Sequence, residues 1–288
     1  MSFERPHTGM DYSPCTYGVS RLVFRGPRAA TDGPYVAMIG GSETYGKYIE
    51  VPFPSRVEHL TGQRVLNLGV MNAGIDVFAR DEALMPIISG AGTVILQVMG
   101  AANISNRFYS VHPRRNDRFL RHSILLETLF QDVDFTDFAF TRHLLGALRE
   151  CSPVKFAMIL EELQQAWLGR MRLLLSRIPG RKIILWIENS AGGELGPEPL
   201  FITETMMQDL EPHIDKLVHC DIGADQSIDQ LDQMIFPLTE RESALRSMSD
   251  AAHERVARAL ARSIGRWDNS RDARKNAAPG DRVSKRAG

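Results

Sequence analysis

Short, continuous apolar runs recur along the chain, and each one ends at a glycine or a polar residue. Five of them have the length of a strand: residues 36–39, 64–68, 93–98, 182–187 and 216–220. Their apolar positions are contiguous rather than alternating, which indicates strands that are buried on both faces. The pattern therefore predicts a five-stranded parallel sheet.

Apolar positions three or four residues apart predict helices between these strands. The predicted helices cover residues 54–61, 80–89, 123–131, 136–149, 155–178, 203–214 and 251–264, and residues 237–247 are predicted to be partly helical. Strands that alternate with helices over short connections are typical of α/β proteins. We predict a three-layer α/β/α sandwich around a flavodoxin-like sheet.

The chain is predicted to form a single α/β domain over residues 1–264. Residues 1–34 are rich in turn formers and are expected to form an irregular arm that packs on the domain. Residues 104–170 form a predicted helical insertion between the third and fourth strands, with no clear strand between 103 and 153. Residues 265–288 are polar and basic, which predicts a disordered tail.

Composition excludes several classes of protein. The 288 residues are 43% hydrophobic and 24% charged, as in ordinary globular proteins, and the net charge of -1 gives no reason to expect a nucleic-acid partner. The three cysteines are far apart and form no CxxC pair, which argues against a zinc site and against a disulfide framework. We predict no metal and no cofactor. No apolar run approaches the ~20 residues that cross a membrane. The sequence predicts a cytoplasmic protein and leaves its oligomeric state open.

Polar residues follow the first three predicted strands, where open α/β sheets keep their chemistry. Ser42 comes after Gly40-Gly41 and could act as a nucleophile, a phosphate ligand or a helix cap. Asn72 and Gly74 lie in a small-residue turn after the second strand, which could direct N–H groups at an anion. Asn103 follows the third strand, where its side-chain amide could donate to an oxyanion.

Asp250 and His253 are three residues apart at the start of the last predicted helix. In one geometry the carboxylate orients the imidazole while the other ring nitrogen faces a serine. The alternative is that Ser249 or Asp250 caps the helix and His253 is an exposed residue of its first turn.

Together these four segments resemble the sequence blocks of the SGNH (GDSL-like) hydrolase superfamily. Its first block, Gly-Asp-Ser-x-Thr, corresponds to residues 40–44, with Gly41 in place of aspartate. The second corresponds to residues 67–74, with Asn72 in place of a glycine, and the third corresponds loosely to residues 100–103. The last block, Asp-x-x-His, is Asp250 and His253.

The resemblance implies a serine esterase or acyl hydrolase that acts on an O-acyl ester of a carbohydrate or lipid. Ser42 would be the nucleophile, His253 the base and Asp250 the residue that orients it. The implied oxyanion hole consists of the N–H groups of Ser42 and of Asn72 or Gly74, with the side chain of Asn103.

A basic cluster between residues 112 and 122 bears on the substrate. His112, Arg114 and Arg115 could bind an anionic substrate from a lid over the site, or they could lie on a solvated helix face. Three other functions stay open: acyl transfer by the same residues, anion binding by a flavodoxin-like or sulfotransferase-like protein, and a catalytically inactive relative. In each catalytic case the expected partner is a small-molecule, carbohydrate or lipid ester.

Overall fold

The computed structural model describes residues 9–223 and 228–265. Its central sheet contains five parallel strands: β1 (Val36–Gly40), β2 (Val65–Gly69), β3 (Thr93–Gln97), β6 (Arg181–Gly193) and β8 (Lys216–Asp221). They pair in the order β2-β1-β3-β6-β8. The short strand β7 (Gly196–Glu198) pairs antiparallel with the extension of β6. All five predicted strands are therefore confirmed, and the sheet is mainly parallel.

Helices fill most of the connections between these strands. They are α1 (Ser42–Tyr45), α2 (Phe53–Thr61), α3 (Ile75–Ala79), α4 (Met85–Ser89), α5 (Ile124–Leu129), α6 (Thr141–Cys151), α7 (Pro153–Ser176), α8 (Glu204–Gln208), α9 (Arg241–Leu245) and α10 (Asp250–Ile264). Short 3-10 helices cover Phe135–Asp137, Glu211–His213, Ile228–Gln233 and Leu238–Glu240. The predicted helix at 203–214 is divided into α8 and a 3-10 turn, because Pro212 lacks the N–H that would continue the helix.

Successive residues of the parallel strands face two separate apolar clusters. In β1, Ala37 and Ile39 belong to the larger cluster with Trp167 of α7, whereas Val36 and Met38 belong to the second. The second cluster also contains buried residues of α2 and α10. Because helices pack on both sides of the sheet, the architecture is compatible with a three-layer α/β fold.

The predicted insertion is not wholly helical. Its first part is an antiparallel hairpin of β4 (Tyr109–His112) and β5 (Arg115–His122). The prediction that residues 103–153 contain no clear strand is therefore wrong. Register shifts within the hairpin disturb the alternation of buried and exposed side chains, and β5 carries arginines at three of its four exposed positions. A strand of this kind has little apolar periodicity to reveal it.

The arm before β1 packs on the domain. Cys15 and Phe24 form an antiparallel bridge, and Tyr17, Leu22 and Phe24 are buried in the larger core cluster. The predicted disordered tail, 265–288, lies outside the described residues except for Gly265. None of the helices within the described ranges is long and apolar enough to cross a membrane.

Candidate functional site

Ser42 is the first residue of α1 and lies at the carboxyl end of β1. Since β1 lies between β2 and β3, the strand order reverses at this position, and this is where open α/β sheets bind their ligands. Gly41 occupies the N-cap position, so the predicted alternative in which Ser42 caps the helix is wrong. The Ser42 hydroxyl is half-buried and contacts the turn after β2 instead.

A buried glutamine holds the turn that carries Ser42. The Oε1 atom of Gln97, at the end of β3, accepts hydrogen bonds from Gly41 N (3.0 Å), Thr44 N (3.2 Å) and Thr44 Oγ1 (2.5 Å). A Cβ at Gly40 would collide with both Gln97 and Thr44, so glycine is required there. The Nε2 atom of Gln97 donates to Glu43 (2.6 Å). Burial raises the pKa of the Glu43 carboxyl, although this hydrogen bond acts in the opposite direction.

Asn72 contacts the serine directly. Its backbone N–H donates a hydrogen bond to Ser42 Oγ (3.0 Å). The Ser42 hydroxyl in turn donates to the side-chain oxygen of the same residue, Asn72 Oδ1 (3.3 Å). Asn72 has a φ of +56°, a left-handed conformation that asparagine tolerates better than most residues. Its Nδ2 donates to Asp117 of β5 (3.3 Å), which connects the serine to the hairpin.

The other two predicted oxyanion donors lie next to each other but do not contact Ser42 by a hydrogen bond. The Gly74 N–H donates to Asn116 Oδ1 over 3.1 Å, so it is already engaged. A side chain on Gly74 would collide with the carbonyl oxygen of Asn103. Asn103 Oδ1 accepts from Thr141 Oγ1 (2.7 Å), and its Nδ2 has no partner within the described ranges, so it remains available as a donor.

His253 lies in the first turn of α10 and is 1% exposed. Its Nδ1 accepts a hydrogen bond from the N–H of Phe53 (3.0 Å), and its ring stacks on the Phe53 ring. Burial, followed by the positive charges of Arg56 and Arg25, lowers the pKa of His253 to about 3. The imidazole is therefore neutral at pH 7, and the prediction of an exposed first-turn residue is wrong.

Asp250 has a different partner from the one that the sequence suggested. Its carboxylate pairs with Arg56 of α2, and Arg56 also contacts Glu254 (3.2 Å). The cap of α10 is Ser249, whose Oγ accepts from Ala252 N (3.1 Å). Within the part of the chain that the structure describes, no hydrogen bond joins Ser42, Asp250 and His253 into a triad.

A groove of about 1400 Å³ opens beside this edge of the sheet. Asn72, Tyr45 and Asp117 line one part of it. The three residues predicted to bind substrate also line it: His112, Arg114 and Arg115. Because they belong to a hairpin, the alternative of a solvated helix face is wrong. His112 Nδ1 accepts the N–H groups of Arg114 and Arg115, both over 3.2 Å, and so stabilises the hairpin turn.

One family model covers most of the chain: that of DUF6473, a domain of unknown function, matches residues 1–268. The chain belongs to the DUF6473 family. No curated protein shows significant sequence similarity to it. The description of the DUF6473 family includes no activity, so the resemblance to SGNH hydrolases stays a prediction.

The site of this DUF6473 chain also includes three polar residues that the sequence analysis did not single out: Gln97, Asn116 and Asp117. Gln97 is a polar residue at the end of an apolar run, and such a residue must find partners when it is buried. Asn116 and Asp117 are adjacent residues in a strand that was not predicted. Among the described residues, no group of three or more His, Cys, Asp and Glu side chains could hold a metal ion.

Proposed function

We propose that this protein is a serine acyl-ester hydrolase or acyltransferase with a three-layer, flavodoxin-like fold of the SGNH type. The observation that carries the proposal is the 3.0 Å hydrogen bond from the Asn72 N–H to Ser42 Oγ. It brings the candidate nucleophile and a candidate oxyanion donor together where the strand order reverses.

In the proposed reaction, Ser42 Oγ attacks the ester carbonyl and forms an acyl-enzyme. The C–O bond to the leaving alcohol breaks, and water or an acceptor hydroxyl then removes the acyl group. The Ser42 N–H and Asn103 Nδ2 would donate to the tetrahedral oxyanion, and the Asn72 N–H would join them by exchanging its hydrogen bond with Ser42 Oγ for one with the oxyanion. Removing one such donor typically costs about 3 kcal/mol of transition-state stabilisation.

His253 is the proposed base, and its surroundings define what catalysis requires of it. Its Nδ1 accepts the Phe53 N–H, so the neutral ring carries its proton on Nε2, and neither nitrogen has a free lone pair for the Ser42 proton in the described conformation. A base with a pKa near 3 accepts protons poorly at pH 7. Catalysis by His253 therefore requires that substrate binding break the contact with the Phe53 N–H, so that the ring proton lies on Nδ1 and the unprotonated Nε2 faces Ser42 in a more polar environment.

The test is covalent labelling with a fluorophosphonate probe, together with hydrolysis of p-nitrophenyl acetate and butyrate. We expect Ser42→Ala to abolish labelling and to reduce hydrolysis by about 10³-fold or more. The matched control is Ser55→Ala, a partly buried serine in α2, which should label like the wild type. Equal labelling of the wild type and Ser42→Ala would refute the assignment.

The base is tested with His253→Asn, because the asparagine Oδ1 can replace Nδ1 as acceptor for the Phe53 N–H. We expect this variant to fold and to lose labelling. If it labels at the wild-type rate, His253 is not the base. Product analysis with and without a carbohydrate or lipid acceptor distinguishes transfer from hydrolysis.

A second candidate function is anion binding without acyl chemistry. The observations that favour it are the burial of His253 and the pairing of Asp250 with Arg56, which separate both from Ser42, and the position of Arg114 and Arg115 in the lining of the groove. It predicts no phosphonate labelling of the wild type and thermal stabilisation by anionic ligands.

A further inference from the structure

Exposed apolar side chains converge on the groove beside Ser42. Its lining includes five large apolar residues that are each more than a third exposed: Val23, Met71, Leu120, Phe140 and Ile235. They come from the arm, the turn after β2, the hairpin and two later connections. Single exposed apolar residues are normal, but a group of them around one concavity marks a binding surface.

The same groove carries positive charge that the protein does not neutralise. Its lining includes four exposed arginines: Arg21, Arg114, Arg115 and Arg118. None of their guanidinium groups pairs with a carboxylate in the described part of the chain, and Arg118 lies 4.4 Å from the centre of the Phe140 ring.

The acidic residues of the lining are already engaged. Glu240 pairs with Lys47 over 2.8 Å, and Asp117 accepts the side-chain amide of Asn72. The groove therefore offers an anion four guanidinium groups without a carboxylate partner, next to apolar surface, against one carboxylate, that of Asp117, which has no ion pair among the described residues.

We propose that the groove binds a single-chain anionic amphiphile. An alkyl or acyl chain would contact the apolar side chains, and a phosphate or comparable anionic group would be held by Arg114, Arg115 and Arg118. The cationic and apolar positions line a concavity rather than a flat face, which favours one bound molecule over a bilayer surface.

This inference deepens the proposed function and rests on it in one respect, because Asn72, which lines the groove, contacts the candidate nucleophile. An acyl ester bound along the groove could reach Ser42. Binding itself does not depend on Ser42, so the two proposals can fail separately.

Calorimetric titration of the full chain carrying Ser42→Ala tests the inference without turnover. The probes are dodecyl phosphate below its critical micelle concentration, dodecyl maltoside as the same chain with a neutral head, and inorganic phosphate as the head alone. We expect dodecyl phosphate to bind at least about tenfold more tightly than either of the others.

Arg114→Ala with Arg115→Ala should weaken dodecyl phosphate about tenfold or more and leave dodecyl maltoside unchanged. Leu120→Ser should weaken both detergents. The matched control is Arg246→Ala with Arg262→Ala, which removes two exposed arginines that do not line the groove. High salt provides an independent measurement, because it should weaken only the charged probe.

Equal affinity for dodecyl maltoside, or an unchanged affinity in the Arg114/Arg115 variant, would overturn the inference. So would binding to phosphatidylglycerol vesicles without binding of monomeric dodecyl phosphate, since that result indicates a membrane surface. If dodecyl phosphate binds but the wild type is not labelled by the phosphonate, the groove assignment stands and the catalytic proposal fails. If the wild type is labelled but no amphiphile binds, the groove assignment fails and the catalytic proposal stands.

Discussion

The imidazole of His253 contributes to the fold as well as to the proposed chemistry. It is enclosed against Phe53, whose N–H it accepts, and Arg56 and Arg25 add positive potential around it. All of these factors favour the neutral ring. The unfolded chain holds the same residue in water, where its pKa is about 6.5.

This difference makes stability depend on pH. Because the folded pKa is depressed to about 3, the stabilisation is complete above pH 6.5 and is lost as the pH falls from 6.5 towards 3. We expect the free energy of unfolding of the wild type to fall by about 1.4 kcal/mol per pH unit in this window, relative to His253→Asn. Urea unfolding at pH 7.5, 6.0, 5.0 and 4.5 measures it. Parallel curves for the two proteins would contradict the prediction.

At the scale of elements, Gln97 joins the end of β3 to the start of α1. One amide oxygen accepts three donors from the turn, and the amide nitrogen binds Glu43. The side chains of Gln97 and Thr44 pack so closely on Gly40 that a Cβ at residue 40 would collide with both. The position of Ser42 therefore depends on a residue of the neighbouring strand.

We expect Gln97→Leu to lower the free energy of unfolding by about 2–4 kcal/mol, because it leaves buried N–H groups without an acceptor. Chemical denaturation measures the loss. The control is Gln164→Leu, which removes one hydrogen bond, from Nε2 to the carbonyl of Phe201 (3.0 Å), and should cost about 1 kcal/mol. Equal losses in the two variants would show that Gln97 does not hold the turn as a unit.

At the scale of the whole molecule, Asp76 connects parts of the chain that are distant in sequence. It lies in α3 and is 2% exposed. Its carboxylate contacts Arg170 of α7 (2.9 Å), Arg80 (3.2 Å) and the N–H of Ser105 after β3 (3.3 Å). The helix layer and the loop that carries Asn103 are thus held by one buried charge.

Asp76→Ala should lower the free energy of unfolding by about 1.5–3 kcal/mol, because the partly exposed Arg170 and the N–H of Ser105 lose a charged acceptor. The control is Asp209→Ala, whose 3.8 Å ion pair with Arg172 is exposed and should contribute less than about 1 kcal/mol. Thermal and urea unfolding of both variants measure the difference. A similar small effect in both would mean that the Asp76 network adds little to stability.

Local patterns were sufficient for the sheet. Each parallel strand is a short apolar run, so most strand ends could be predicted to within about one residue. The exception is β6, which is longer than predicted because its extension pairs with β7. The candidate residues Ser42, Asn72 and Asn103 were found for the same reason, since residues that follow parallel strands gather at one edge. The hairpin β4–β5 was missed because charged side chains and register shifts hide its periodicity.

The partners of the candidate residues depended on tertiary structure. Asp250 and His253 are close in sequence, which suggested a pair, but α2 supplies Arg56 to one and the Phe53 N–H to the other. The groove is likewise assembled from segments far apart in the chain, so no local pattern could show that its arginines and apolar side chains face one space. Sequence alone determined where the parallel strands end and that Ser42, Asn72 and Asn103 follow them, because strand ends are set by local burial. Only the packing of helices and loops decided what each group contacts, because those contacts join residues up to 200 positions apart.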